Sequence, residues 1–394
     1  MKILSISTRG NELEFYLFEM DDQSIIANGI ISRIGLEDSS YSISFGSENI
    51  TEHVEFRDYN DVANILFDKL VTLNIINSSI DINGIGFRVV HGGSKYVDSV
   101  FVNDKVIQDI SDLSDFAPSY NDSISLAMRS FRKIFPDIPM VAVFDTAFNQ
   151  TISEENYLYP LPLDWYEKYG IRKYGFYGTS HKYVTKKVSE ILGRNDFKLI
   201  SCHLGNGGSV SAIENMKVID TSMGFTPLSG IMMGTRSGDI DPSIIPYIMK
   251  KEGLNVGEVI DELNNNSGIY GLSQYSGDML EILEECDKGN ENAIRAKNKF
   301  VRSVADYIGK YYVLLGGVDV IAFTAGIGEN SVQIRREICE KLACLGVKLD
   351  FDINNHIGEM IKISTDDSKI QVYVIPTKEE LMVAMDTEKL IKNR

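Results

Sequence analysis

Apolar runs broken by short polar turns open this chain, and the same plan returns in its second half. Residues 2–7 (KILSIS) predict a strand, residues 8–11 a polar turn, residues 13–18 a second strand and residues 25–33 a third, after Asp21-Asp22. The repeat runs through a strand at 198–203, a turn at 205–208, a strand at 209–213 and another at 216–220 after Glu214-Asn215. Two hairpin-led halves predict an internally duplicated α/β architecture with its ligand between the halves, although two unrelated hairpins would leave the same trace. Residues 61–74 and 121–135 carry apolar positions near the helical period, each opening on an Asp or Asn suited to capping. The longest helical candidate covers about 290–315, with Ile294, Val301, Val304, Ile308 and Leu315 on one stripe that serves either the core or a dimer interface.

Composition narrows the function classes. The chain has 394 residues, 43% hydrophobic and 24% charged, enough for two domains with separate cores. Its net charge of −17 excludes nucleic acid as an expected partner, because phosphate backbones attract basic patches. No apolar run approaches the ~20 residues that span a bilayer, and the opening MKILSIS is too short for a signal peptide. Cys202, Cys286, Cys339 and Cys344 show neither C-x-x-C nor zinc-ligand spacing, so reduced structural thiols in a cytoplasmic protein are expected.

Against that acidic background a few motifs carry chemistry. Gly205-Asn206-Gly207-Gly208 follows one strand and precedes another, so backbone N–H groups can converge there on a phosphate; a plain hairpin turn would also use such glycines. His203 stands just ahead, a protonatable side chain at the end of a buried strand. A second cluster, Gly326-Ile327-Gly328-Glu329-Asn330, follows the apolar run 318–323 and predicts a helix over about 331–345, a strand–turn–helix arrangement that receives nucleotides. It is neither a Walker A loop nor a G-x-G-x-x-G fingerprint. Arg88, at the end of an apolar strand, and Arg236, between glycines, sit where a guanidinium must meet an anion, either a ligand or a structural carboxylate. Asp145 closes another apolar strand, where a carboxylate acts as a base or a metal ligand.

Together these segments resemble the acetate kinase family of the sugar kinase/actin-like superfamily, from Met1 to about Thr387. The most specific stretches are YLYPLPLDWYEKYGIRKYGFYGTSHKYV (157–184), CHLGNGGSV (202–210), DTSMGFTPLSGIMMGTRSGDIDP (220–242), FTAGIGEN (323–330) and VIPTKEEL (374–381). The resemblance implies two actin-like (ribonuclease H-like) α/β lobes, mixed sheets flanked by helices. Residues 1–149 with about 381–394 would form the acceptor side and 150–380 the nucleotide side. It implies a cytoplasmic homodimer using ATP/ADP and Mg2+ to phosphorylate acetate or another short carboxylate, with no membrane partner. Arg88 and Arg236 would clamp the carboxylate and the phosphoryl group, with Asp145 as the catalytic carboxylate and Glu379 as a magnesium-associated acid. Val90, Phe176 and Pro227 match a small apolar acyl pocket. His203, Leu204, Gly205, Asn206 and Gly207 would contact phosphate, and Gly326 to Asn330 with Asp278 the adenosine.

The chain departs from the family pattern where phosphate is handled. The family's opening N-x-G-S-S-S-x-K reads here Ser7-Thr8-Arg9-Gly10-Asn11-Glu12-Leu13-Glu14, so Ser7 stands at the Asn near magnesium and Glu14 at the lysine. A carboxylate in place of a cation reverses the local field, worth roughly several kcal/mol in a partly dry site; Arg9 is a candidate substitute charge. Tyr177 replaces the histidine of Y-G-F-H-G-T-S-H, in a position that steadies the moving phosphoryl group. A phenol donates one neutral hydrogen bond, and losing one such stabiliser costs on the order of 10²–10³ in rate. Tyr120 replaces another histidine, Ser119 a leucine bordering the acyl pocket, and Leu280 an arginine near the base. The sequence therefore predicts a carboxylate kinase of reduced activity. Two alternatives stay open: an inactive regulatory paralogue that binds nucleotide or acyl phosphate, and a kinase using another donor such as pyrophosphate.

Overall fold

The opening hairpin forms where the alternation places it. In the computed structural model, which describes residues 1–394 apart from the side chains of Pro118 and Ser119, strand β1 is Lys2–Arg9 and β2 is Glu12–Glu19. They join through Gly10 at φ +57°, a left-handed position that glycine adopts without strain. The sheet continues with β3 (Ser24–Ser32), β4 (Ser40–Phe45), β5 (Glu48–His53), β6 (Gly84–Val89), β7 (Val100–Phe101) and β8 (Met140–Phe144). Their order is β5-β4-β3-β2-β1-β6-β8-β7. A second sheet contains β9 (Lys198–Leu204), β10 (Gly208–Glu214), β11 (Lys217–Thr221), β12 (Val320–Thr324), β13 (Ile361–Lys362) and β14 (Gln371–Val374), ordered β11-β10-β9-β12-β14-β13.

The duplication is thus a matter of topology. In each sheet three antiparallel strands, β3-β2-β1 and β11-β10-β9, are extended by two parallel ones, β6-β8 and β12-β14. That is the strand order of an actin-like lobe. The chain divides into two units, Met1–Phe148 with Lys378–Arg394, and Asn149–Thr377.

In the first unit β8 is apolar throughout because both of its faces are covered. Met140, Ala142 and Phe144 join the main core with Phe87 and Phe131, whereas Val141 and Val143 pack with Val383 of the C-terminal helix Glu379–Lys392. That helix lies close to β6. A Cβ on Gly86 would stand 2.3 Å from Thr387 Oγ1 and 2.8 Å from Val383 Cγ1, and one on Gly84 would stand 2.3 Å from Ile391 Cδ1. The alternating glycines of GIGFRV therefore open a groove on one face of β6, and the seated helix begins at Glu379, beside Arg88.

Several helix boundaries differ from the sequence expectation. The first helix is Tyr59–Thr72, and its cap is Asp58, whose side chain accepts from the Asn60 and Asp61 N–H groups. The helix expected to open at Asn121 is Pro118–Ile134 and starts on proline, whose missing N–H costs nothing in the first turn. Asn121 is instead a fully buried clamp: its amide donates to the carbonyls of His91 and Ile110 and accepts from the His91 N–H. The long helix is Glu291–Leu314, capped by Asn290, and Val301, Val304 and Ile308 face the core. Ile294 does not, being 36% exposed, because the buried stripe there passes through Ala293 and Ala296. The helix expected over about 331–345 is shorter, Val332–Lys341, followed by a 3-10 turn at Ala343–Leu345. The glycine cluster ahead of it, expected as a turn, is a short helix, Ala325–Asn330.

Candidate active site

In the first unit the site is built around Arg88, the fifth residue of β6. Its Nε donates to Asp145 at 3.1 Å, its Nη2 to Asp145 Oδ2 at 2.8 Å, and its Nη1 to Glu379 Oε2 at 3.1 Å. Asp145 follows β8 and is 2% exposed; Glu379 opens the helix seated on Gly84 and Gly86. Burial works against the Arg88 charge, but Asp145 and Glu379 more than offset it and hold the guanidinium protonated. Burial also pushes the Glu379 carboxyl up to about 7; Arg88 pulls it down, and Asp145, Glu380 and Glu14 push it up.

Glu14 reaches the same cluster. It pairs with Ser7 across β1 and β2, and the Tyr16 hydroxyl donates to it at 3.1 Å. Burial and then Glu380 raise its pKa, against Tyr16 and Arg88. Four carboxylates (Glu14, Asp145, Glu379, Glu380) thus act on one guanidinium. Arg9 lies exposed at the end of β1, opposite Glu12. Val90 directly follows β6 and is half-buried. Ser119, which the resemblance sets at the border of the acyl pocket, has its side chain outside the described residues.

In the second unit the phosphate candidates converge on the hairpin between β9 and β10. Leu204 pairs with Gly208, and the Gly205 N–H closes the turn on the Gly207 carbonyl at 2.9 Å. Gly207 leaves room for two long side chains: a Cβ there would stand 2.0 Å from the Tyr177 hydroxyl and 3.0 Å from Arg236 Nη2. The phenol and the guanidinium therefore both lie beside the Gly207 backbone. Tyr177 takes a left-handed φ of +59° just before the helix Gly178–Leu192, and its ring stacks on His203 with centroids 4.2 Å apart. Arg236 is steadied by the Pro227 carbonyl, 2.7 Å from Nη1. Asn206 is fixed from the other side, its carbonyl accepting the Gly234 N–H at 2.9 Å.

The remaining candidates are spread around this hairpin. Phe176 is buried. Asp278 caps the helix Met279–Asp287, accepting the Leu280 N–H at 2.7 Å, and the Leu280 side chain is exposed. Gly326, Ile327, Gly328, Glu329 and Asn330 form the helical turn after β12, and Ala325 ahead of them sits at φ +64°. A non-glycine residue there costs roughly 1–2 kcal/mol. Glu329 Oε1 holds the strained turn by accepting the Ala325 N–H at 2.6 Å, and it also accepts the Thr377 N–H at 2.9 Å.

Sequence reasoning assigned no role to Ser180, His181, Thr377 or Glu380. Ser180 Oγ lies 2.8 Å from His203 Nδ1 and 2.9 Å from Thr377 Oγ1. His181 is fully buried between Ser201 and Ser209, at 2.9 and 3.0 Å, and burial lowers its pKa to about 3, so it stays neutral. The signal was present in GTSH and in VIPTKEEL, where small hydroxyl residues adjoin the candidate groups. Among the described residues no three His, Cys, Asp or Glu side chains gather as a metal site, and no helix is long and apolar enough to cross a membrane.

The paired sheets and these two clusters describe a phosphotransferase of the actin-like kind that acts on a small anionic acceptor. The chain matches the Acetokinase family over residues 2–385, and it belongs to that family. It is 48% identical over 393 residues to the acetate kinase of Bacillus subtilis (strain 168), covering 99% of this chain and 100% of that one. Among solved structures it is similar to the acetate kinase of Porphyromonas gingivalis, at TM-score 0.95 and 36% identity over 99% of both chains. It is similar also to a propionate kinase from Francisella tularensis subsp. tularensis SCHU S4, at TM-score 0.92 and 37% identity, covering 98% and 99%.

Proposed function

We propose that the chain transfers the γ-phosphoryl group of ATP to acetate, giving acetyl phosphate and ADP. The supporting observation is that Arg236 and the Tyr177 hydroxyl both lie beside the Gly207 backbone, with Tyr177 stacked on His203, a group of donors for phosphoryl oxygens in a chain of net charge −17. Phosphoryl transfer rests almost wholly on positioning and charge neutralisation, which such donors supply. A carboxylate oxygen of acetate attacks the γ-phosphorus and the bond to ADP breaks. Arg88 orients that carboxylate, exchanging part of its hold on Asp145 or Glu379 for the substrate. Arg236 and His203 meet the phosphoryl oxygens, with the Tyr177 hydroxyl as a neutral donor. The first unit serves the acceptor, through Arg88 and Val90. The second serves the nucleotide, through residues 203–207, Asp278 and residues 326–330, and its Phe176 and Pro227 match apolar acyl-pocket positions of the family.

The donor set fits magnesium, which takes one or two carboxylates and leaves its other positions to phosphates and water. Asp145 and Glu379, gathered on Arg88, would offer those oxygens, with Ser7 as a weaker neighbour on β1. Bound with the nucleotide, the ion neutralises phosphate charge. We place the enzyme in the cytoplasm as a homodimer, on its family and its free cysteines.

Glu14 in the Arg88 cluster and Tyr177 over Gly207 favour a slowed form of this same reaction. Purified protein with ATP-magnesium and acetate in a coupled assay tests the reading. Acetate-dependent ADP release supports it; release unchanged by acetate, or phosphorylation from pyrophosphate alone, overturns it.

A further inference from the structure

Three hydroxyl and imidazole groups of the second unit form an unbroken chain: Thr377 Oγ1 to Ser180 Oγ at 2.9 Å, and Ser180 Oγ to His203 Nδ1 at 2.8 Å. Ser180 and His203 are buried, at 0% and 5% exposure. The far end is held from the backbone, because the Thr377 N–H donates to Glu329 Oε1, the oxygen that also holds the Ala325 N–H. The Thr377 hydroxyl therefore has a fixed place from which to reach Ser180. At the near end the Tyr177 ring lies along the imidazole, and His203 Nε2 stands 4.0 Å from where a Cβ on Gly205 would be, at the glycine turn.

We infer that Ser180 and Thr377 are positioning residues that set the proton on His203, directing its Nε2–H toward the phosphoryl group. The inference rests on the proposed kinase reading only for what His203 faces. Phosphoryl oxygens accept hydrogen bonds and donate none, so a neutral imidazole helps them only when Nε2 carries the proton. Nδ1 then has a lone pair and must be the acceptor, which makes Ser180 the donor to His203. Ser180 has a single proton, so its oxygen accepts from Thr377. The opposite setting, with Nδ1–H donating to Ser180, would point an Nε2 lone pair at anionic oxygens. When His203 takes up a second proton, Nδ1–H donates to Ser180 and the serine turns its own proton to Thr377, so the chain accommodates the cation as well. Buried hydroxyl chains of this kind fix the tautomer of a histidine much as carboxylates and carbonyls do behind metal-bound ones.

The test is a long-range proton–nitrogen spectrum of the full chain labelled at its five histidines, recorded above the ordinary histidine pKa range. Loss of one set of signals in His203→Gln assigns His203. The expected result is the Nε2–H tautomer in the unaltered protein, a shift toward Nδ1–H in Thr377→Val and Ser180→Ala, and return to Nε2–H in Thr377→Ser. In parallel, Thr377→Val should lower kcat by about tenfold with both KM values within about twofold, and Thr377→Ser should restore it. An Nδ1–H tautomer in the unaltered protein overturns the inference even if neither variant folds. So does a Thr377→Val protein with unchanged spectrum and kcat. Absence of turnover in the unaltered protein counts against the kinase reading, and the spectra then decide the proton relay alone.

Discussion

Replacing Glu379 by glutamine removes one charge from the crowded Arg88 cluster and leaves its shape. The carboxamide oxygen of the Glu379→Gln side chain can still accept from Arg88, while Asp145 keeps its two-point hold on the guanidinium. Burial first, and then Asp145, Glu380 and Glu14, push the native carboxyl from 4.5 to about 7, against the pull of Arg88. Its side chain is only 12% exposed, so solvent screens little of this cost. A raised carboxyl favours the folded state while it is protonated. Below pH 4.5 both states are protonated and nothing is lost; as pH climbs through about 7 the folded protein is penalised by roughly 2–4 kcal/mol. Glu379→Gln should therefore be more stable than the native protein near pH 8 by about 1–3 kcal/mol, once the weaker hold on Arg88 is deducted, and close to equal near pH 5. The single tryptophan, Trp165, lies in the other unit and reports the wrong core. The suitable assay is amide hydrogen exchange of β6 and the helix Glu379–Lys392, without nucleotide or magnesium. Opening free energies whose pH dependence is the same in native and variant protein would refute the reasoning.

Other outcomes follow from the same contacts. Gly86→Ala drives a methyl against Thr387 and Val383 and should cost about 1–3 kcal/mol, read as a lower unfolding midpoint, with a raised acetate KM because Glu379 is carried on the displaced helix. Arg236→Ala removes the guanidinium at Gly207 and should lower kcat by roughly 10²–10³ in steady-state turnover, while folding measured by circular dichroism is kept. Glu14→Lys with Tyr177→His should raise acetate-dependent ATP turnover by at least about tenfold, equivalent to roughly 1.4 kcal/mol of barrier.

The hairpins were legible because strands with one or two buried faces write their period directly into the sequence. Ile3, Leu4 and Ile6 in β1 and Leu199, Ile200 and Cys202 in β9 have no exposed surface. Helix starts were less legible. Asp58 and Asn290 cap as propensity predicts, but Asn121 has the same chemistry and spends it on His91 and Ile110, a choice only the tertiary contact reveals. Likewise Glu14 reads as a lost lysine in sequence, whereas its partners Glu380 and Arg88 come from distant places in the chain and join Tyr16 of its own strand. The glycine cluster at 326–328 was read as the turn of a strand–turn–helix unit, whereas it is itself a short helix that opens on Ala325 at φ +64°, with the Ala325 N–H held by Glu329. Ser180 and Thr377 were invisible as a pair, standing 197 positions apart.

The central claim is that this chain makes an acyl phosphate from ATP. Its most direct test traps the product: purified protein, ATP-magnesium, acetate and hydroxylamine, with acyl hydroxamate and ADP measured together. Hydroxamate and ADP should form in equal amounts, both dependent on acetate and both lost in Arg236→Ala. ADP formed without hydroxamate, or hydroxamate undiminished by Arg236→Ala, would contradict it.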